Sequence, residues 1–404
     1  MDCFNTIICR YNEIATKGNN RGMFEQKLAE NIKYFSSDVC KIRTQRVRGR
    51  IFLHKDDKTP FTADETLQLT DKLKRCFGLD SFSFCLESGS KTDLNGILDM
   101  VRTSAKSYFD SLLQKSSRVR FRTRARRSDK SFPLHSKDVE IEIATMLEGI
   151  YGDRVVIDLT DPEISIGVEI REETSIVFYE TIKAAGGLPV GSNSPLLALL
   201  SGGIDSPVAC NMMMRRGCHI DYLTFHSFPY TPMESVQKVA KIAAILNQWQ
   251  KKGTLYACNI SEIQKLIRDN CNMKFRTVLY RRVMMRIAEM ICKKYNLNAI
   301  VTGEAAGQVA SQTIENMSVI NRSTDMLILR PIAGMDKNET IRRAEDIGTF
   351  NVSIEPMIDS CTVFAPDSPV LRAKLHTAEW EESRIPGFQE AIQQAFDSIE
   401  IVFC

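Results

Sequence analysis

Apolar residues recur along the chain with two different spacings, and the way these alternate changes partway along. Thr6-Ile7-Ile8-Cys9-Arg10-Tyr11 is a short apolar run that predicts a strand. Met23, Phe24, Leu28, Ile32 and Phe35 fall at helical spacing and predict a helix from Asn20 to about Phe35. Lys41 to Arg50 alternates basic and other residues and leads into Ile51-Phe52-Leu53, a further predicted strand. A second mixed stretch has a strand at Ser81–Leu86 and a helix over Leu94–Leu113, marked by Ile97, Leu98, Val101, Ala105, Phe109 and Leu112. Val155–Leu159 and Ile164–Ile170 read as strands.

Ala184 to Pro195 is rich in Gly, Pro, Ser and Asn and reads as a linker. After it, strands and helices alternate regularly. Leu196–Leu200 is a strand, followed by a helix to Arg216, a strand at Ile220–Phe225 and a helix near Glu234–Gln250. A strand at Thr254–Cys258, a long helix near Thr277–Tyr295 and a strand at Ala299–Thr302 continue the series. This alternation predicts a parallel sheet covered by helices. No internal repeat is visible.

The 404 residues suggest two or three domains, and ordinary apolar and charged fractions (43% and 25%) exclude disorder, collagen and coiled coil. The 53 basic and 50 acidic residues nearly cancel, so global charge predicts no nucleic-acid partner and its distribution has to be read. The 12 cysteines are scattered, with no CxxC pair and no zinc spacing. The first residues carry no basic and apolar leader, and no apolar run approaches the roughly 18 residues of a membrane span. A cytosolic setting with reduced thiols, mostly buried as small hydrophobes, is the expectation.

The most informative stretch is Leu199-Leu200-Ser201-Gly202-Gly203-Ile204-Asp205-Ser206-Pro207. An apolar strand runs into two glycines and then into a helix start. Glycines let the backbone turn sharply and let an anion approach its N–H groups, while the helix N-terminus adds free donors. Phosphate is the expected guest. The motif is neither GxxxxGK[ST] nor GxGxxG, so the lysine usual in γ-phosphate transfer is missing. The plain alternative is a strand-to-helix turn without a ligand.

A second chemical feature lies between Lys115 and Lys137, where nine Lys or Arg accompany one acid, Asp129. If residues 118–124 form a strand, Arg118, Arg120, Arg122 and Arg124 share one face, with Val119, Phe121 and Ala125 packing on the other. A row of guanidinium groups matches a phosphate backbone. The alternative is a solvated edge strand.

Ser201-Gly202-Gly203-Ile204-Asp205-Ser206 resembles the SGGxDS signature of the PP-loop ATP pyrophosphatases, and Arg127-Ser128-Asp129-Lys130-Ser131-Phe132-Pro133 with its surroundings resembles the RNA-binding THUMP domain. Tyr11-Asn12-Glu13-Ile14-Ala15-Thr16-Lys17-Gly18-Asn19-Asn20-Arg21 resembles a YGEIxLKGxNR segment. In this order, and with Arg281–Glu289, Val301–Glu304, Gly307–Thr313 and Arg330–Glu339, they resemble the tRNA 4-thiouridine synthetase (tRNA sulfurtransferase, ThiI) family over nearly the whole chain. The resemblance implies an α/β chain with an N-terminal ferredoxin-like α+β unit (residues 1–75) and a THUMP RNA-binding domain (76–180). A doubly wound parallel-sheet PP-loop domain (181–404) would follow.

The same resemblance implies ATP contacts at Leu199, Leu200, Ser201, Gly202, Gly203, Asp205, Ser206, Thr224, Phe225, Arg281, Gly303 and Gln312. For Arg281 a helix-surface ion pair is the alternative. Asp205 would position magnesium or pyrophosphate and Lys337 would meet phosphate or leaving-group charge; either can instead be a cap or a surface pair. The expected tRNA contacts are Arg118, Arg120, Arg122, Arg124, Arg126, Arg127 and Lys130. The family places a reactive cysteine before its C-terminal helices, where this chain reads Ile358-Asp359-Ser360-Cys361-Thr362. Ser360 stands where that cysteine is expected, and serine carries no persulfide. Cys361 is then the expected carrier, with Cys404 a weaker candidate and delivery without either thiol the alternative.

The implied reaction adenylates a tRNA uridine, at position 8 in the family, releases pyrophosphate and replaces O4 with persulfide sulfur. A role in thiamine thiazole synthesis accompanies it. Cofactors would be ATP and magnesium, with no metal-ligating cluster assigned. The chain ends without room for a rhodanese domain, so a separate donor such as a cysteine desulfurase is expected as partner. No membrane partner is expected, and a homodimer is compatible with the family. The competing readings are a PP-loop enzyme acting on another tRNA base or a small molecule, and a non-catalytic RNA-binding protein.

Overall fold

The computed structural model describes residues 4–47, 49–357 and 363–403. They fall into two compact units, one reaching to Leu188 and the other beginning at Pro189. The first unit runs β1 (Thr6–Arg10), α1 (Arg21–Ser36), β2 (Ile42–Val47), β3 (Arg50–Lys55), α2 (Ala63–Lys74), β4 (Ser81–Glu87) and α3 (Leu94–Leu113). It continues with β5 (Val119–Arg127), α4 (Ser136–Tyr151), β6 (Val155–Ile157), β7 (Ile164–Ile170), β8 (Ser175–Phe178) and β9 (Ile182–Lys183).

Its nine strands make one sheet in the order β2-β3-β1-β4-β8-β7-β5-β6, with β9 beside β4. The predicted helices at Asn20–Phe35 and Leu94–Leu113 are α1 and α3. Asp93 caps α3 by accepting from the Gly96 N–H at 2.9 Å, and the helix buries Ile97, Val101, Ala105 and Phe109. Thr62 and Glu65 form a reciprocal capping box that starts α2. β1 pairs antiparallel with β4, Ile7 opposite Phe84, so residues on either side of position 75 share one sheet.

The chain just past residue 180 stays joined to the first unit. β9 pairs with β4, and the Gly78 N–H donates to the Gly186 carbonyl at 2.8 Å. Residues through Leu188 therefore belong to the first unit, and the break lies inside the Gly/Pro-rich linker.

The second unit runs β10 (Leu196–Leu199), α5 (Asp205–Arg215), β11 (Ile220–His226), α6 (Glu234–Leu246), β12 (Leu255–Asn259), α7 (Ser261–Asn270) and α8 (Arg276–Tyr295). Then come β13 (Ala299–Val301), α9 (Ile314–Asn321), β14 (Leu327–Leu329), α10 (Lys337–Ile347), the single turn α11 (Phe350–Ser353), α12 (Leu375–Ser383), α13 (Phe388–Asp397) and β15 (Glu400–Val402). The sheet order is β14-β13-β10-β11-β12-β15. All pairs are parallel except β12 with β15. From β10 the chain builds outward in one direction through β11 and β12, then crosses to the other side for β13 and β14. That reversal is the mark of a doubly wound sheet, whose ligands sit beyond the strand C-termini at the reversal point. No helix among the described residues is long and apolar enough to cross a membrane.

One buried ion pair fixes α8. Arg282 is 1% exposed; its guanidinium donates to both carboxylate oxygens of Glu382 on α12 (2.7 and 3.1 Å) and to the Val319 carbonyl (2.6 Å). Arg286 donates to the same carboxylate at 2.8 and 2.7 Å. Burial alone would raise the pKa of Glu382, but the hydrogen bonds from Arg286 and Arg282 outweigh it and hold the carboxyl below its ordinary range. Replacing Glu382 with Ala would strand two cations, one fully buried, and should cost about 3–5 kcal/mol, read as a fall in thermal midpoint. Because the folded pKa is depressed, the stabilisation is full above the ordinary glutamate range and lost as pH falls through the lower folded value. The wild type should therefore lose stability on acidification more steeply than Glu382→Gln, as chemical denaturation across acid pH would show.

Candidate functional site

β10 is buried and apolar, and the chain leaves it through Ser201-Gly202-Gly203 into α5, with Pro207 in the first helical turn. The turn is cinched by side chains. The Ser201 N–H donates to Ser206 Oγ at 2.9 Å, the two hydroxyls lie 3.0 Å apart, and the Gly203 N–H reaches Ser201 Oγ at 3.4 Å. The strand beside β10 across the reversal, β13, leads directly into Gly303. A Cβ placed there would lie 2.5 Å from Ser206 N and 2.6 Å from Ser206 Cα. Only glycine lets β13 and the start of α5 come this close.

A cavity of about 500 Å³ opens at this point, lined from β10, β11, α6, α8, the loop after β13 and residues 353–357. The volume lies within the range of small-molecule and cofactor sites. All twelve residues expected to contact ATP line it: Leu199, Leu200, Ser201, Gly202, Gly203, Asp205, Ser206, Thr224, Phe225, Arg281, Gly303 and Gln312. They come from five separate parts of the chain. Arg281 lines this cavity, while its helix neighbours Arg282 and Arg286 take the ion pair with Glu382.

Asp205 and Lys337 meet each other. Lys337 Nζ lies 2.7 Å from one Asp205 carboxylate oxygen, and Gln308 Nε2 donates to the other at 2.8 Å. Lys337 opens α10, which Asp336 and Glu339 cap reciprocally, and it does not line the cavity. Cys361 and Cys404 lie outside the described residues.

Among the lining residues not expected from the sequence, two are buried and charged. Lys238 on α6 is 5% exposed; its ammonium donates to the carbonyls of Ser353 (2.9 Å) and Glu355 (2.7 Å), and its stem packs against Gly202, whose added Cβ would lie 3.2 Å from Lys238 Cδ. The available signal was a lysine within the apolar stripe of Val236, Val239, Ile242 and Leu246. Glu304 is buried, accepts from Thr302 Oγ1 (3.0 Å) and Arg330 Nε (2.8 Å) through one oxygen, and leaves Oε1 without a partner among the described residues. Gln312 Oε1 is likewise unpartnered. Glycine N–H groups, a helix N-terminus, the buried Lys238 and the half-buried Arg281 are groups suited to a phosphate ester.

In the first unit, β5 carries the arginine row. Val119, Phe121 and Thr123 are buried, whereas Arg120, Arg124 and Arg126 are exposed. Several guanidinium groups are already engaged. Arg118 donates to the Asp153 carbonyl at 2.9 Å, and Arg120 pairs with Asp161 at 3.1 Å. Arg122 reaches Ser165 Oγ (3.0 Å), and Arg127 turns back to the carbonyls of Phe132 (2.8 Å) and Leu134 (2.7 Å), bracing the loop after the strand. Arg124, Arg126 and Lys130 are exposed. Asp129 is held by Ser131 and Lys91, which lower its pKa to about 2.

Nine cysteines lie among the described residues, and burial raises the pKa of every one, to about 11 for Cys40, Cys218 and Cys271 and to about 12 for Cys76, Cys258 and Cys292. No group of three or more His, Cys, Asp or Glu able to hold a metal occurs among the described residues.

Comparison with known proteins bears on the whole chain. Residues 6–83 match the ThiI ferredoxin-like domain, residues 91–180 the THUMP domain and residues 191–386 the family described as thiamine biosynthesis protein (ThiI). A probable tRNA sulfurtransferase of Alkaliphilus oremlandii is 37% identical, with 98% of each chain covered. One from a Thermoanaerobacter species is 38% identical over 96% of this chain and 98% of its own. The crystal structure of a 4-thiouridine synthetase–RNA complex with bound ATP superposes with a TM-score of 0.87 at 32% identity, covering 99% of this chain and 100% of that one.

The close approach at Gly303 gives a direct test. Gly303→Ala forces a methyl into the backbone of Asp205 and Ser206 and should cost about 1–3 kcal/mol of stability. Calorimetric titration with ATP should show binding weakened at least tenfold, because the start of α5 is displaced.

Proposed function

We propose, for a chain that belongs to the ThiI family of tRNA sulfurtransferases, that it is an ATP-dependent tRNA sulfurtransferase converting a uridine, expected at position 8, to 4-thiouridine. The observation that carries this reading is the gathering of twelve residues from five parts of the chain around one cavity at the sheet's reversal point. The arginine row on β5 supports RNA as the macromolecular substrate.

The loop at Ser201–Gly203 and the start of α5 hold the pyrophosphate end of ATP, with Thr224 and Phe225 beside the adenine. Arg281 supplies charge from α8, and Lys238 supplies it beneath Gly202. Magnesium arriving with the nucleotide would be held by the phosphates and by Asp205 or Glu304, and it would neutralise phosphate charge. The uridine O4 attacks the α-phosphorus, pyrophosphate leaves, and the base carries AMP. In this reading Lys337 holds Asp205 in place and meets leaving-group charge as pyrophosphate departs. The terminal sulfur of a persulfide then attacks C4 and AMP departs. Base and carrier are left joined through an S–S bond, which a second thiol reduces to free 4-thiouridine. Cys361 is the proposed carrier, loaded by a cysteine desulfurase or another separate donor. The cytosol is the proposed setting, and thiamine thiazole synthesis is a second proposed destination for the sulfur.

Purified chain given tRNA, magnesium-ATP, cysteine and a cysteine desulfurase should form 4-thiouridine, read by nucleoside mass spectrometry. Absence of product, or 4-thiouridine persisting in a strain deleted for this chain, would sink the reading. Cys361→Ser should abolish thiolation and preserve tRNA-stimulated pyrophosphate release. Full activity in the Cys361→Ser, Cys404→Ser double variant would remove both thiols from the mechanism.

The exposed arginines give a separate prediction. Arg124→Ala with Arg126→Ala should weaken tRNA binding about tenfold at physiological salt and reduce the slope of log affinity against log salt by about 2. Filter binding across a salt series measures both.

A further inference from the structure

In the second unit, the loop that leaves β11 is built rigidly and then exposes aromatic rings. Ser227 is fully buried and anchors it. Its hydroxyl donates to Gln264 Oε1 at 2.5 Å, its N–H donates to Thr231 Oγ1 at 3.0 Å, and its carbonyl accepts from the Tyr230 and Thr231 N–H groups at 2.7 and 3.1 Å. Asn259 Nδ2 donates to the Phe228 carbonyl at 3.1 Å. With the backbone so held, Phe228 and Tyr230 remain 49% and 42% exposed.

The aromatic surface extends across two further parts of the chain. The Phe364 ring meets Tyr230 edge-on at 5.0 Å, and Lys265 and Arg268, both on α7, lie over the Tyr230 and Phe364 rings at 5.5 and 4.7 Å. Arg276 donates to the Phe364 carbonyl at 3.4 Å and to the Arg268 carbonyl at 2.9 Å. Phe364 itself holds φ at +57°, a conformation that bulky residues adopt only when their surroundings impose it. Glu262 and Asp269 pair with Lys265 and Arg268, so three cations face two carboxylates here. The cluster follows the C-terminal ends of β11 and β12, and Phe225 and Met357, which line the nucleotide cavity, lie three residues before Phe228 and seven before Phe364.

Rigid exposed rings flanked by cations are the device by which proteins hold unpaired bases, since every base has a π-face and every nucleotide a phosphate. A uridine carbon can be reached only when its base leaves the stack. From these observations we propose that Phe228, Tyr230 and Phe364, with Lys265, Arg268 and Arg276, form a platform that receives an unstacked nucleobase of the RNA substrate beside the nucleotide cavity. The proposal rests on the tRNA reading above and names where in this unit the displaced base is held.

The test uses the full chain and two readouts. A single-stranded oligoribonucleotide containing 2-aminopurine should be quenched on binding to the wild type. The quench should be lost in the Phe228→Ala, Tyr230→Ala double variant and retained in Tyr230→Phe. In thiolation assays the double variant should lose tenfold or more in kcat/KM for tRNA, while the KM for ATP and the thermal midpoint stay unchanged. No quench in the wild type, or an unchanged kcat/KM for tRNA, overturns the platform. A loss restored by raising the sulfur-donor concentration also overturns it, assigning the rings to a protein partner. Quenching without any thiolation would leave the platform standing and overturn the tRNA sulfurtransferase reading.

Discussion

The contact between Gly303 and the first residues of α5 is the constraint on which the second unit's chemistry depends. β10 and β13 are neighbours in the sheet, yet one leads into the helix start and the other into a loop that must pass beneath it. Backbone against backbone, with no side chain between, brings the two strand ends within reach of a single bound molecule. The cavity is the space left above that contact, and its walls follow from the order β14-β13-β10-β11-β12.

The buried pair of Arg282 with Glu382 has a second role beside stability. Three arginines, 281, 282 and 286, lie close together on α8, and only their angular position on the helix separates them. Glu382 takes two and so fixes the rotation of α8 about its own axis, which leaves Arg281 turned to the cavity. A hydrophobic contact would hold the helix at comparable cost, but it would not discriminate between rotations as a bidentate carboxylate does.

Much of this was legible in the sequence because local rules decide it. The apolar run of β10, the two glycines and the helix after them declare the strand–loop–helix turn without help from distant residues. The arginines of β5 show their common face through a period of two. What escaped were features decided at long range. The two-residue strand β9 belongs to the first unit because it pairs with β4, a hundred positions earlier, and no local signal near residue 182 announces that pairing. Nothing near Arg281 says that its neighbours are claimed by α12. Lys238 is visible as a charge in an apolar stripe, but its acceptors are the carbonyls of Ser353 and Glu355. The antiparallel return of β15 onto β12 has no local signal at all.

The raised thiol pKa values have a consequence for any sulfur traffic through this chain. A thiol exchanges sulfur only as its thiolate, and at neutral pH the nine described cysteines are almost wholly protonated and mostly walled off by packing. An incoming persulfide thus finds poor acceptors among the nine described cysteines. Burial here works as insulation: a cysteine-rich chain can handle a mobile sulfur atom without scrambling it onto itself.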